Sequence, residues 1–143
     1  AFASQAMAQT TADVDFNGVV PGACSFPVVP TPGTINANVA GTTLVTQTPG
    51  TVSITCSEPA QVSLTAPTQL IGPAITPSGG AGSVVSEVES TSGANAGATG
   101  TDSTPMSLPV AGTDQLAVEM TYATGAALPA GTYAFRVTLT ATP

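Results

Sequence analysis

Carboxylates are the main reactive side chains this chain offers. Eight acids stand against one base, Arg136, with no His and no Lys. The commonest general bases, Schiff-base nucleophiles and transition-metal ligands are therefore missing. Two acid pairs are spaced i,i+2, Asp13 with Asp15 and Glu87 with Glu89. On a strand that spacing puts both carboxylates on one face, where a hard cation such as calcium could be held. Calcium takes about six or more oxygens, and neither pair is set in a loop of further acids, so both are expected to be solvated outer faces. No metal and no cofactor are expected. Ser and Thr abound, but a hydroxyl without an adjacent base is not an activated nucleophile. No G-x-S-x-G occurs, and Gly79-Gly80-Ala81-Gly82 lacks the Lys and the helix of a phosphate-binding loop. Arg136 is expected to pair with Glu119 across the last two strands, an exposed contact worth under about 1 kcal/mol. Tyr122 and Tyr133 fall on apolar parities and are expected to pack in the core rather than form a sugar platform. The chain is not expected to be an enzyme.

The length of 143 residues suits one domain, and 42% hydrophobic residues supply an aliphatic core, since only two Tyr, four Phe and no Trp are present. A net charge of -7 leaves no basic stripe for phosphates, so nucleic-acid binding is excluded. No apolar run approaches the roughly 20 residues that span a bilayer as a helix, and no membrane insertion is expected. The two cysteines, Cys24 and Cys56, sit in alternating segments rather than in a metal-type spacing. A disulfide in an exported chain is the expected reading, with two buried thiols in a cytosolic protein as the alternative.

The elements that must position these residues read as strands. Tyr133, Phe135, Val137, Leu139 and Ala141 alternate with Thr and Arg residues, one face for the core and one for water. Leu116, Val118, Met120 and Tyr122 form a second such row, and the Gly/Pro-containing stretch 124–131 joins the two runs as an expected strand pair. Val52, Ile54 and Cys56, then Val62, Leu64 and Ala66, form two more. Residues 34–39 and 83–89 are weaker candidates. The stretch 90–104 is expected to be a long surface loop. No helical period survives the 13 Pro and 15 Gly, so the class is all-β and a sandwich is expected.

From residue 12 the chain alternates Val14, Phe16, Gly18, Val20, Gly22, Cys24 and Phe26 against Asp13, Asp15, Asn17 and Val19, the pattern of a half-buried first strand. Residues 1–11 continue the even parity without charge, proline or glycine. They make a strand-competent segment with no evident partner, and such an edge invites pairing with another chain. They are read as an extension that completes a neighbouring subunit, with Phe2, Ser4, Ala6, Ala8 and Thr10 pointing into it. Ala6-Met7-Ala8 has the form of a small-residue cleavage site. Retention is nevertheless expected, with any signal removed ahead of residue 1, because a ten-residue donor spans about 33 Å and the cut would leave only about half of that.

Val14-Asp15-Phe16-Asn17-Gly18-Val19-Val20-Pro21-Gly22-Ala23-Cys24 resembles the Phe-x-Gly-x-Val…Ala-Cys opening of chaperone-usher pilus subunits. Cys56 ending Gly50-Thr51-Val52-Ser53-Ile54-Thr55 fits the second cysteine of that family, and the final two alternating runs fit its last strands. Leu128-Pro129-Ala130-Gly131-Thr132-Tyr133 is also similar to the spore-coat-U branch. Many members end in an aromatic-containing strand, whereas this chain ends Leu139-Thr140-Ala141-Thr142-Pro143.

The resemblance implies an incomplete immunoglobulin-like β-sandwich over residues 12–143, completed by the N-terminal donor strand, residues 1–11, of an identical subunit. It implies a homopolymeric extracellular pilus serving adhesion or biofilm formation, assembled with a periplasmic chaperone and an outer-membrane usher. The acceptor groove is then expected to be lined by Val14, Phe16, Val20, Tyr133, Phe135, Val137 and Leu139, with Leu116, Val118 and Met120 deeper. A secreted lectin or adhesin module binding carbohydrate is the alternative.

Overall fold

A computed structural model describes residues 10–18 and 23–143. Among these the chain is all-β, without a helix and with antiparallel pairing throughout. In chain order the strands are β1 (Cys24–Ser25), β2 (Thr34–Ala37), β3 (Thr43–Thr48), β4 (Gly50–Cys56), β5 (Ala60–Leu64) and β6 (Thr68–Ile71). They continue as β7 (Val84–Gly93), β8 (Thr99–Thr101), β9 (Met106–Leu108), β10 (Gly112–Ala123), β11 (Ala134–Arg136) and β12 (Leu139–Thr142). Seven strands form one sheet around β10, which pairs with β7 along one edge and with β4 and then β3 along the other; β1 and β2 lie outside β4 and β3. A three-stranded sheet, β12-β5-β9, and a two-stranded one, β11-β6, make up the rest. The core draws Val52, Ile54, Val88 and Leu116 from the large sheet and Val62, Leu64, Met106 and Leu108 from the three-stranded one. That arrangement is consistent with a β-sandwich.

Local pattern explains most of these elements. β5 buries Ala60, Val62 and Leu64 and exposes Gln61 and Ser63. β4 buries Val52, Ile54 and Cys56, with Ser53 and Thr55 between them partly covered. Pro49 separates β3 from β4, and the two continue along one edge of β10 as a single kinked strand. At the kink the Thr46 hydroxyl substitutes for the missing ladder: it accepts from the Met120 N–H at 2.7 Å and donates to the Met120 carbonyl at 3.2 Å.

Three expectations are corrected. The alternation over residues 12–18 does not make a strand within one chain. Among the described residues of the run only Cys24 and Ser25 pair with β4, while Val14 and Phe16 are exposed and residues 10–18 lie outside every strand. An extended segment is stable only where a partner meets its backbone groups. Farther along, the edge of β4 at Thr51 is already taken by Thr31, whose N–H and carbonyl bond to it at 2.8 and 3.0 Å.

The stretch 90–104 is not a loose loop: β7 runs on to Gly93 and β8 returns against it. A bulge opposite Gln115 and Leu116 lets β7 carry one extra residue there. Gly93 turns out of it at φ 118°, where an added Cβ would strike the Thr113 carbonyl and lie 2.7 Å from the Asp114 Cα.

Nor do the last two alternating runs pair with each other. β10 is embedded in the large sheet, β11 pairs with β6 and β12 with β5. Glu119 therefore stands opposite Glu87, and Arg136 opposite Thr68, so the expected cross-strand pair of Arg136 with Glu119 does not form.

Candidate functional site

The inward row of β10 changes burial along its length. Asp114 and Leu116 are 1% exposed and Tyr122 is buried, yet Val118 and Met120 between them are only partly covered. A regular strand in a filled sandwich would bury all five alike. The uncovered stretch is the floor of an open groove of about 960 Å³. One wall is the segment from Tyr133 to Leu139, whose alternate residues Tyr133, Phe135, Val137 and Leu139 line it half-buried, while Arg136 and Thr138 are exposed. The other wall is the chain from Pro30 through Ile35, with Phe26 beside it.

Among the described residues both walls are sheet edges with one unpaired side: β12 pairs only with β5 and β11 only with β6, and across the groove β2 pairs only with β3 and β1 only with β4. Unpaired edges offer main-chain donors and acceptors to another strand. The wall from Ala134 to Thr142 follows Gln61 to Ile71 along its length, with a break opposite Pro67. Proline has no N–H to give a ladder. There Thr65 and Thr138 hold the two together, Thr65 N–H to the Thr138 carbonyl at 3.0 Å and Thr138 N–H to the Thr65 hydroxyl at 2.9 Å. Tyr122 and Phe135, ring centroids 5.2 Å apart, tie β10 to this wall. Opposite, Gly33 runs so close to β3 and β4 that an added Cβ would lie 2.5 Å from the Gly50 nitrogen.

The disulfide between Cys24 and Cys56 joins β1 to the end of β4 and leaves no free cysteine among the described residues. Of the expected groove residues, Tyr133, Phe135, Val137, Leu139, Val118 and Met120 share the groove. Leu116 lies beneath it in the closed core. Val14 and Phe16 do not line it; they are 73% and 92% exposed, because the strand that would have placed them there does not form. Val20 and the donor positions Phe2, Ser4, Ala6 and Ala8 lie outside the described residues, and Thr10 is exposed.

Chemically the groove presents mostly apolar side chains between its two walls. Glu119 and Arg136 are its charged lining residues. Among the described residues no cluster of three or more His, Cys, Asp or Glu could hold a metal ion, and Glu87 and Glu89 are exposed on β7. Comparison with known proteins gives no match. No family model, curated protein or solved structure is similar enough to name a relative.

Sequence reasoning missed two features. The wall from Pro30 to Ile35 was hidden because Pro30 and Pro32 interrupt any alternating pattern. The other is a buried polar cluster under the 94–98 turn. The Asp114 carboxylate accepts from the Ser90 hydroxyl at 2.8 Å, the Asn95 backbone N–H at 2.7 Å and the Asn95 side-chain amide at 2.8 Å. Asn95 in turn bonds both the N–H and the carbonyl of Val110, at 2.9 and 2.8 Å. The signal was available: Asp114 falls on the same parity as Leu116 and Tyr122, so the pattern of β10 buries a carboxylate.

Proposed function

We propose that this chain is a structural subunit of an extracellular pilus that polymerises by strand donation. On this reading the domain is an immunoglobulin-like sandwich lacking its last strand, and the groove receives an N-terminal strand from an identical subunit, which pairs with the free edge of Ala134 to Thr142. The observation that carries it is the partial cover of Val118 and Met120 between the buried Leu116 and Tyr122, facing the half-buried row Tyr133, Phe135, Val137 and Leu139. One added strand with apolar side chains on one face would cover both rows and use both unpaired edges.

The disulfide agrees with export through an oxidising periplasm, and the resemblance of the region around Phe16 and Cys24 to chaperone-usher subunits points the same way. A chaperone would hold the open groove before assembly at an usher, since an uncovered apolar groove flanked by free edges aggregates. Adhesion or biofilm formation is the role such filaments serve. A carbohydrate-binding module is the competing reading, and the largely apolar lining counts against it, because sugars are held by many placed polar groups.

Electron microscopy of the protein exported with its assembly partners tests the proposal. Thin filaments built of this chain are expected; monodisperse particles under those conditions would overturn it.

A further inference from the structure

The floor of the groove carries an oxidisable sulfur. The chain has three methionines, Met7, Met106 and Met120. Met106 on β9 is 0% exposed in the closed core. Met120 is only partly covered and lines the open groove. Met7 lies outside the described residues. Both cysteines are joined in the disulfide, which leaves no free thiol among the described residues. A thioether needs no base to react with an oxidant, and access decides which one does.

We infer that Met120 is a site of reversible oxidation, open to peroxides while no strand covers the groove and shielded once one does, so that its sulfoxide bars a subunit from accepting a strand. The consequence for assembly rests on the strand-donation reading above; the oxidation does not. In the reaction hydrogen peroxide transfers one oxygen atom to the Met120 sulfur. The O–O bond breaks, an S–O bond forms, the sulfur loses two electrons and the remaining oxygen leaves as water.

The surroundings of Met120 give that oxygen its effect. Met120 shares the floor with Val118 and faces the apolar row of Tyr133, Phe135, Val137 and Leu139. Its main chain is held in place by the Thr46 hydroxyl, which accepts from the Met120 N–H at 2.7 Å and donates to its carbonyl at 3.2 Å. The one proton of that hydroxyl is thereby engaged, and the Tyr133 hydroxyl donates its own to the Pro129 carbonyl, so neither offers a donor to a sulfoxide. In the open groove water solvates the new oxygen. Under an inserted strand with apolar side chains it is buried without a partner.

The test applies hydrogen peroxide to the full chain before and after assembly, with peptide mass spectrometry reading each methionine separately. Before assembly Met120 is expected to gain oxygen at least about tenfold faster than Met106, and in filaments it is expected to be protected. The oxidised subunit should keep its β-type circular dichroism and lose at least about tenfold of its filament yield. Methionine sulfoxide reductase with its thiol reductant should restore that yield. Met120→Leu, compared with its own untreated sample, should lose nothing on peroxide treatment, which separates Met120 from Met7.

Equal oxidation of Met106 and Met120, filaments unimpaired by an oxidised Met120, or a loss of filaments that Met120→Leu shares would overturn this inference and leave strand donation intact. Rapid oxidation of Met120 within finished filaments, or no filaments from the untreated chain, would overturn both.

Discussion

Asn95 grips both oxygens of the Asp114 carboxylate, its backbone N–H on one at 2.7 Å and its side-chain amide on the other at 2.8 Å. Asp114 is 1% exposed and Asn95 8%, so the contact replaces water entirely for a group that is costly to bury alone. It pins the turn between β7 and β8 onto β10 and turns what reads as a loop into part of the sheet. Asp114→Ala would leave the Asn95 N–H, its amide and the Ser90 hydroxyl without their acceptor. The expected loss is about 3–5 kcal/mol of unfolding free energy, with Asp114→Asn intermediate. Urea denaturation measures it, and a loss under about 1 kcal/mol would show that the cluster is not what holds the turn.

Cys24 and Cys56 close a loop with a sequence separation of 32. Removing the bond by Cys24→Ser/Cys56→Ser is expected to cost about 3–4 kcal/mol through the greater freedom of the unfolded chain. It should also loosen β1, which is two residues long and pairs with β4. Denaturation midpoints with and without reductant check the first effect. Hydrogen exchange at Ser25 and Thr55 checks the second.

Thr46 stands in for the backbone at the kink between β3 and β4, meeting both the N–H and the carbonyl of Met120. Thr46→Val keeps the shape and removes both bonds, leaving partly buried main-chain groups unpaired. A destabilisation of about 1–3 kcal/mol is expected, while Thr46→Ser stays within about 1 kcal/mol of the parent. Because Thr46 and Met120 both line the groove, Thr46→Val should also lower the yield of filaments seen by microscopy. Unchanged thermal unfolding of Thr46→Val would contradict this account of the kink.

Val137 is half-buried at the middle of the groove wall. In a single chain a carboxylate there still reaches water, so Val137→Asp is expected to keep the β-type circular dichroism and the disulfide. Once a strand covers the groove the same carboxylate is buried without a partner, at a cost of several kcal/mol. Monomers by size-exclusion chromatography and no filaments by microscopy are the expected result; ordinary filaments would remove Val137 from the groove.

The sequence by itself determined the all-β class and the facing of most strands, because side-chain parity is a local property with period two. Val52, Ile54, Val62, Leu64 and Leu116 were readable as core on that ground and are buried. The row Tyr133, Phe135, Val137 and Leu139 was readable as one face in the same way. The pairing of Cys24 with Cys56 followed from their placement in alternating segments, and the structure forms it.

What only the tertiary structure decided is which strand lies beside which, and what covers each face. Those depend on residues far apart in the chain. β10 takes β3, β4 and β7 as neighbours instead of the run that follows it, and so separates Glu119 from Arg136. The bulge and the Asn95–Asp114 contact recruit residues 90–101 into the sheet, against a composition that reads as loop. Val14 and Phe16 have the parity of a strand and remain bare, because a strand exists only where another backbone meets it. Val118 and Met120 share the parity of Leu116 and differ from it in that no strand of the described residues covers them, a difference that no pattern within β10 could have encoded.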